Sequence, residues 1–496
     1  MQQISDPHWL GQRLEHGVTG ESRAAMMATL EGSDMSTETL IQSINPATED
    51  VLATFEASTP EQIERALKCA HDTYRKWRTT SFAERATLMH GAAVYLRQHR
   101  SRLAGLMTAE MGKPIVEAEA EIDKCAWNCD FYADNAARFL ANEPRPSSAT
   151  ESYVQFTPMG TILAVMPWNF PFWQLFRFAA PALMAGNTAI LKHASNVPQC
   201  ALATEEVFRA AGFPPGAFQA LLIPGSAVSG LIAEDRITAV TLTGSDAAGR
   251  SVAEVSGRNI KKTVLELGGS DPFIVLADAD LAAAVQVGVR SRYQNAGQSC
   301  IAAKRFIVVE AAFDEFQRRF VAAVKALRVG DPTDRSTQMG PLARNDLRDD
   351  LEQQLRRSIE QGATLLAGGT RRAGRGYFFT PTVLSEVALD MAAACEEVFG
   401  PVAALMRVRD TDEAIRVANN SSFGLGANLW TTDLPRARHL AREIEAGQVF
   451  INGMVTSDPR LPFGGVKQSG YGRELSEYGI REFVNIQTVW IGPAKG

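Results

Sequence analysis

The chain has 496 residues, 45% of them hydrophobic and 21% charged, with a formal net charge of -6. That length exceeds one ordinary core and implies at least two domains. No long basic run favours nucleic acid, and no stretch of about twenty apolar residues is present to span a membrane.

Residues 1–40 are polar and rich in glycine, without the apolar segment of a signal peptide, and read as a loosely ordered extension. Met35 is an alternative start within it. From Thr59 to about Asn142 apolar residues recur at three- and four-residue spacing, which predicts amphipathic helices beginning at Ser58-Thr59-Pro60-Glu61. Two prolines in Glu143-Pro144-Arg145-Pro146 end that run, and Tyr153–Phe156 reads as a short strand.

Thr161–Met166 is a continuous apolar run, the signature of a buried parallel strand. Strands at Ala189–Lys192, Ala220–Ile223, Ala239–Thr243 and Lys262–Leu267 then alternate with helical stretches, as in a doubly wound α/β sheet. The alternation restarts after Gly268-Gly269 with Pro272–Leu276, Lys304–Val309, Val402–Val408 and Gly447–Ile451, a second α/β domain. Phe483–Ile491 alternates and reads as a strand donated outward.

Two stretches carry chemistry. Gln294-Asn295-Ala296-Gly297-Gln298-Ser299-Cys300 delivers one cysteine on a polar turn. About thirty residues upstream, Glu266 is a lone carboxylate at the end of an apolar strand. A nucleophile and a general base are built from such groups, although a lone cysteine is by itself most often an ordinary core residue. Six scattered cysteines (Cys69, Cys125, Cys129, Cys200, Cys300, Cys395) lack zinc or disulfide spacing, so no metal is expected and a reducing, cytoplasmic compartment fits. Gly244-Ser245, between a β run and a helix, offers free N–H groups to a phosphate.

Together with Pro167-Trp168-Asn169-Phe170-Pro171, Gly249, Glu397-Val398-Phe399-Gly400-Pro401 and Pro462–Gly470, these stretches resemble the aldehyde dehydrogenase superfamily from about Asn45 to Ile491. The resemblance implies a Rossmann-like NAD(P)-binding domain at 41–143 and 158–267, and a catalytic α/β domain at 268–470. It also implies a small β oligomerisation element at 144–157 and 471–496, in a homodimer or homotetramer. In the implied reaction Cys300 attacks the aldehyde, and the Asn169 amide and the Cys300 N–H hold the oxyanion. Glu266 activates the hydrolytic water, and Glu474 is either a second proton carrier or an ion-pair partner. The cofactor would be held by Trp168, Lys192, Ser195, Gly244, Ser245, Glu397 and Phe399.

NAD-preferring members often carry glutamate three residues after the strand-end lysine; here Ser195 stands there, so NADP is expected to be accepted, with NAD possible. His193 replaces the usual proline. Ala302 stands where some relatives have a redox-switch cysteine, so no such disulfide is expected.

Arg177 is the substrate clue, a lone charge in an apolar helix that resembles succinate-semialdehyde dehydrogenases. Its partner is either a substrate carboxylate or an internal acid. Gln294 replaces a second pocket arginine of those enzymes, and Ser457 and Arg460 lie on the loop at the pocket mouth, where Arg460 is a candidate replacement charge. The expected substrate is a short carboxylated aldehyde, succinate semialdehyde first and glutarate semialdehyde or another small aldehyde as alternatives. A cysteine hydrolase would need a histidine partner that the motifs do not supply, and a non-catalytic scaffold protein would not need these groups.

Overall fold

The computed structural model describes residues 40–493; the extension expected over residues 1–40 lies almost wholly outside them. The polypeptide opens with a hairpin, Leu40–Ile44 against Val51–Glu56. Four helices follow, Pro60–Trp77, Phe82–Gln98, Arg100–Met111 and Ile115–Phe139. Thr59 caps the first as expected, its hydroxyl accepting the Gln62 N–H while the Gln62 side chain accepts the Thr59 N–H.

The first sheet has six strands in the order Gly470–Tyr471, Lys262–Glu266, Ile237–Thr243, Thr161–Met166, Thr188–His193 and Phe218–Leu221. The five long strands are parallel. Because side chains alternate along a strand, Ile162, Ala164 and Met166 join the core beneath the helices Phe82–Gln98, Arg100–Met111 and Ile115–Phe139. Leu163, Ile190, Val240 and Leu265 pack on the opposite face.

The second sheet has seven strands, Thr364–Ala367, Thr382–Ser385, Val402–Val408, Ala303–Val309, Asp271–Val275, Gly426–Trp430 and Gln448–Ile451. All pairs are parallel except the first. Gly426–Trp430 escaped the sequence reading because Gly-Ala-Asn-Leu-Trp has no β-branched run; it is a strand because both edges are paired and every residue is buried.

Val484–Ile491 pairs antiparallel with Glu151–Pro158, which also pairs with Glu143–Pro144. Residues 471–483, expected in this outer element, are placed differently. Tyr471 pairs with Leu265 in the first sheet, and the helix Ser476–Arg481 lies against the helices Ile115–Phe139 and Trp173–Ala185. The buried Ile480 and Phe483 draw this segment into the first core. No helix among the described residues is long and apolar enough to cross a membrane.

Candidate active site

The loop carrying Cys300 is held in an uncommon conformation. Asn295, Ala296 and Gly297 are consecutively left-handed, with φ of 53, 54 and 74°, a strain that needs surrounding contacts to persist. Asn295 Nδ2 donates to the carbonyls of Asn169 (2.9 Å) and Gln298 (3.1 Å), and Asn169 Nδ2 donates to the same Gln298 carbonyl at 3.1 Å. Buried Arg292 donates to the carbonyls of Gly297 (2.6 Å) and Gly400 (2.8 Å). A side chain at Gly297 would collide with both groups.

Lys304 Nζ pins the end of the loop, donating to the Ser299 carbonyl at 3.0 Å and the Cys300 carbonyl at 2.8 Å. The Cys300 N–H has no partner among the described residues and Asn169 is buried beside the loop, so both donors named for an oxyanion belong to one network. Burial pushes the Cys300 thiol up to about 12, against the pull of Arg177 and Lys304.

Glu266 ends its strand fully enclosed, and neither of its carboxylate oxygens has a hydrogen-bond partner. Burial, and then the charge of Glu474, raises its pKa well above the ordinary carboxylate value, while Arg177 and Arg473 oppose the rise. Glu474 is raised too, by burial against the pull of Arg177. Arg177 resolves the alternatives left by the sequence. Its Nε lies 2.6 Å from Glu474 Oε2, both side chains are buried, and its guanidinium sits 4.4 Å from the centre of the Phe463 ring. The partner of Arg177 is internal. The contact lies off the line of a hydrogen bond, so Arg177 Nε and Nη2 still lack acceptors.

The residues assigned to a dinucleotide gather along the ends of the first-sheet strands. Lys192 closes the strand Thr188–His193, half-buried, with no acidic partner among the described residues and its pKa lowered by burial. Ser195 is exposed just beyond. Ser245 caps the helix Asp246–Arg258, accepting the Ala248 N–H at 3.3 Å, and Gly244 precedes it. Trp168 meets Phe399 edge-on at 5.8 Å.

Glu397 Oε1 accepts the Gly269 N–H at 3.0 Å and lies 3.5 Å from Lys304 Nζ. A Cβ at Gly268 would run into its carboxylate. An unpaired cation for ribose hydroxyls and an open helix N-terminus for phosphate fit a nicotinamide dinucleotide. His193 is buried, donates from Nε2 to the Pro171 carbonyl at 2.9 Å and accepts the Ala194 N–H on Nδ1. Burial drops its pKa to about 4. A neutral ring thus ties the strand end to the Asn169 loop.

The substrate-side candidates separate. Arg460 is 67% exposed and is held by Asp458 through two hydrogen bonds, of 2.9 and 2.6 Å. Gln294 terminates the helix Leu281–Tyr293 and is half-buried. Ser457 is buried, and its Oγ accepts from Trp173 Nε1 at 2.8 Å and Lys124 Nζ at 2.9 Å.

The sequence reading missed the element that organises this side. Glu117, Glu121, Lys124, Asn128 and Tyr132 recur at helical spacing on Ile115–Phe139 and form one polar stripe. Glu117 accepts the Asn295 N–H at 2.9 Å, and its pKa is raised to about 7 by burial. Glu121 accepts the N–H groups of Phe172 (3.0 Å) and Trp173 (2.9 Å) and pairs with Lys113. Asn128 donates to the Phe176 carbonyl at 2.8 Å, and Tyr132 to that of Ser476 at 3.0 Å. The signal was available as polar residues at i, i+4, i+7, i+11 and i+15; Lys304, within a buried strand, was a second one.

Residues 33–489 match the Aldehyde dehydrogenase family. Among curated proteins, the chain is 52% identical over 454 residues to the succinate-semialdehyde dehydrogenase [NADP(+)] 1 of Mycobacterium bovis, covering 91% of this chain and 99% of that protein. It is 53% identical over 451 residues to a probable succinate-semialdehyde dehydrogenase [NADP(+)] of Synechocystis, covering 91% and 99%. Among solved structures, succinic semialdehyde dehydrogenase from Streptococcus pyogenes in complex with NADP+ superposes with a TM-score of 0.90 at 41% identity, over 91% of this chain and 100% of that one. The match spans both sheets and every residue of the site, and the chain belongs to the aldehyde dehydrogenase family of NAD(P)-dependent oxidoreductases.

Proposed function

We propose that the protein oxidises succinate semialdehyde to succinate with NADP+. The observation that carries this reading is the site itself, in which the Asn169 amide is hydrogen-bonded to the pinned loop that carries the Cys300 thiol and an unpaired Cys300 N–H. The buried carboxylate of Glu266 lies within electrostatic reach of that thiol. Relatives more than half identical and named for this substrate and cofactor support the choice of both.

The Cys300 thiol gives its proton to solvent and then adds as a thiolate to the aldehyde carbon. The new oxyanion takes hydrogen bonds from the Asn169 amide and the Cys300 N–H, each worth about 3–4 kcal/mol in sites of this logic. Lys192, Ser245 and Glu397 would hold NADP+, which would supply the hydride acceptor for oxidation of the adduct to a thioester. Glu266 then takes a proton from water, whose oxygen adds to the thioester carbon and releases succinate and the thiol. Burial raises its pKa above that of an ordinary carboxylate, which makes it a stronger base once it has lost its proton. After burial, Glu474 adds to that rise and Arg177 opposes it.

Ser195 puts no negative charge where a 2′-phosphate would approach, in keeping with NADP. The edge strand Val484–Ile491 exposes Ile486, Trp490 and Ile491, an apolar surface suited to pairing subunits in a homodimer or homotetramer. A cytoplasmic setting fits a site that depends on a free thiol. The test is the absorbance of reduced nicotinamide formed from succinate semialdehyde with NADP+ or NAD+. Rapid formation with NADP+ supports the reading; no turnover of this aldehyde alongside turnover of uncharged ones overturns the substrate.

A further inference from the structure

An oxyanion donor is effective when it is aimed before the charge develops. Asn169 Nδ2 spends one N–H on the Gln298 carbonyl at 3.1 Å, which fixes the direction of the other. The Cys300 N–H is a backbone group with no partner of its own among the described residues. Its direction is set at the far end of the same peptide. In a planar trans peptide the C=O and the N–H point opposite ways, so whatever holds the Ser299 carbonyl aims the Cys300 N–H.

Lys304 holds that carbonyl. Its Nζ lies 3.0 Å from the Ser299 oxygen and 2.8 Å from the Cys300 oxygen, so one ammonium fixes two successive peptide planes. The ammonium itself has little room to move. The side chain is 1% exposed and rises from Ala303–Val309, a strand paired on both sides, with Asp271–Val275 and with Val402–Val408. A Cβ at Gly269 would lie 2.7 Å from the Cys300 carbonyl oxygen, so the Gly269 backbone closes one side of the contact. Glu397 Oε1 stands 3.5 Å from Nζ and accepts the Gly269 N–H at 3.0 Å.

The bond also acts on the strength of the donor. A cation at the carbonyl draws charge along the peptide and makes the N–H at its other end a better hydrogen-bond donor. Arg177, the other cation within electrostatic reach of Cys300, is paired with Glu474 at 2.6 Å and touches no part of this peptide.

We propose that Lys304 is a positioning residue for the oxyanion, holding the Ser299 carbonyl so that the Cys300 N–H points at the charge developing on the substrate oxygen. This rests on the reading of Cys300 as the nucleophile.

The experiment compares two reactions of the Cys300 thiolate in the full-length enzyme without added cofactor. With p-nitrophenyl acetate the thiolate adds to the ester carbonyl, an oxyanion forms, and p-nitrophenolate leaves as it collapses. With iodoacetamide the thiolate displaces iodide and no oxyanion forms. First-turnover release of p-nitrophenolate gives one rate, and the mass of the Cys300 peptide gives the other, each less the signal of Cys300→Ala. Both rates scale with the amount of thiolate, so their ratio reports the oxyanion alone.

In Lys304→Met, which keeps the length of the stem and loses the donors, the ratio of acylation to alkylation falls about ten- to a hundredfold, less than the loss of a whole oxyanion donor. Should the variant not fold, seen as an alkylation rate equal to that of urea-denatured enzyme, the ratio is read in Lys304→Gln, whose shorter amide gives a smaller fall in the same direction. An unchanged ratio in the variant that folds overturns the proposal, and failure of both to fold assigns Lys304 to the fold alone and overturns it too. Reduction of NADP+ by succinate semialdehyde that survives in Cys300→Ala removes the nucleophile reading itself, a result that needs no Lys304 variant.

Discussion

Arg177 and Glu474 form a pair that one mutant cycle can dissect. Both side chains are nearly sealed from solvent, 3% and 4% exposed, with 2.6 Å between Nε and Oε2. Removing one partner strands the other charge in the interior, at a cost of about 3–5 kcal/mol. Replacing both by apolar residues removes both charges and is often close to neutral. Arg177→Leu and Glu474→Leu should therefore each lower the urea midpoint by roughly 1–1.7 M at a slope of about 3 kcal/mol per M. The double variant should recover most of that loss, giving a coupling of several kcal/mol.

Urea unfolding followed by tryptophan fluorescence measures all four proteins. Single losses that simply add in the double variant, or an Arg177→Leu protein within about 1 kcal/mol of native, would refute a neutralised internal pair. The second result would return Arg177 to the role of substrate ligand.

Glu474→Gln removes the negative charge that helps raise Glu266 and frees Arg177 to lower it. The base is active when deprotonated, so the acid limb of the kcat profile should move to lower pH; an unmoved limb or an upward shift would show that the two carboxylates act independently. Asn169→Ala removes an oxyanion donor and should cut kcat about a hundred- to a thousandfold, whereas a loss confined to KM would assign Asn169 to ground-state binding alone. Ser195→Glu places a carboxylate where the 2′-phosphate would approach, so kcat/KM should fall at least tenfold with NADP+ and much less with NAD+; equal effects on both cofactors would locate the phosphate elsewhere.

Much of the site was legible as local pattern. Thr161–Met166 and Val402–Val408 announce buried strands through continuous apolar runs, and both are strands over those same residues. Cys300, Glu266 and Asn169 stand out because a thiol on a polar turn, a carboxylate in an apolar strand and a Pro-Trp-Asn-Phe-Pro loop are chemically anomalous where they occur. The electrostatic assignments were less accessible. The sequence could say that Arg177 needs a partner, but not that Glu474, almost three hundred residues on, returns to sit beside it.

The same limit hid the contact of Lys124. On its own helix it is an ordinary lysine between an aspartate and a cysteine, and only the fold brings Ser457 back against it. Periodicity and composition determined which segments are strands and helices, because burying one face is a local requirement. Which charge meets which was decided by packing alone, since a buried ion finds its partner through space and not along the chain.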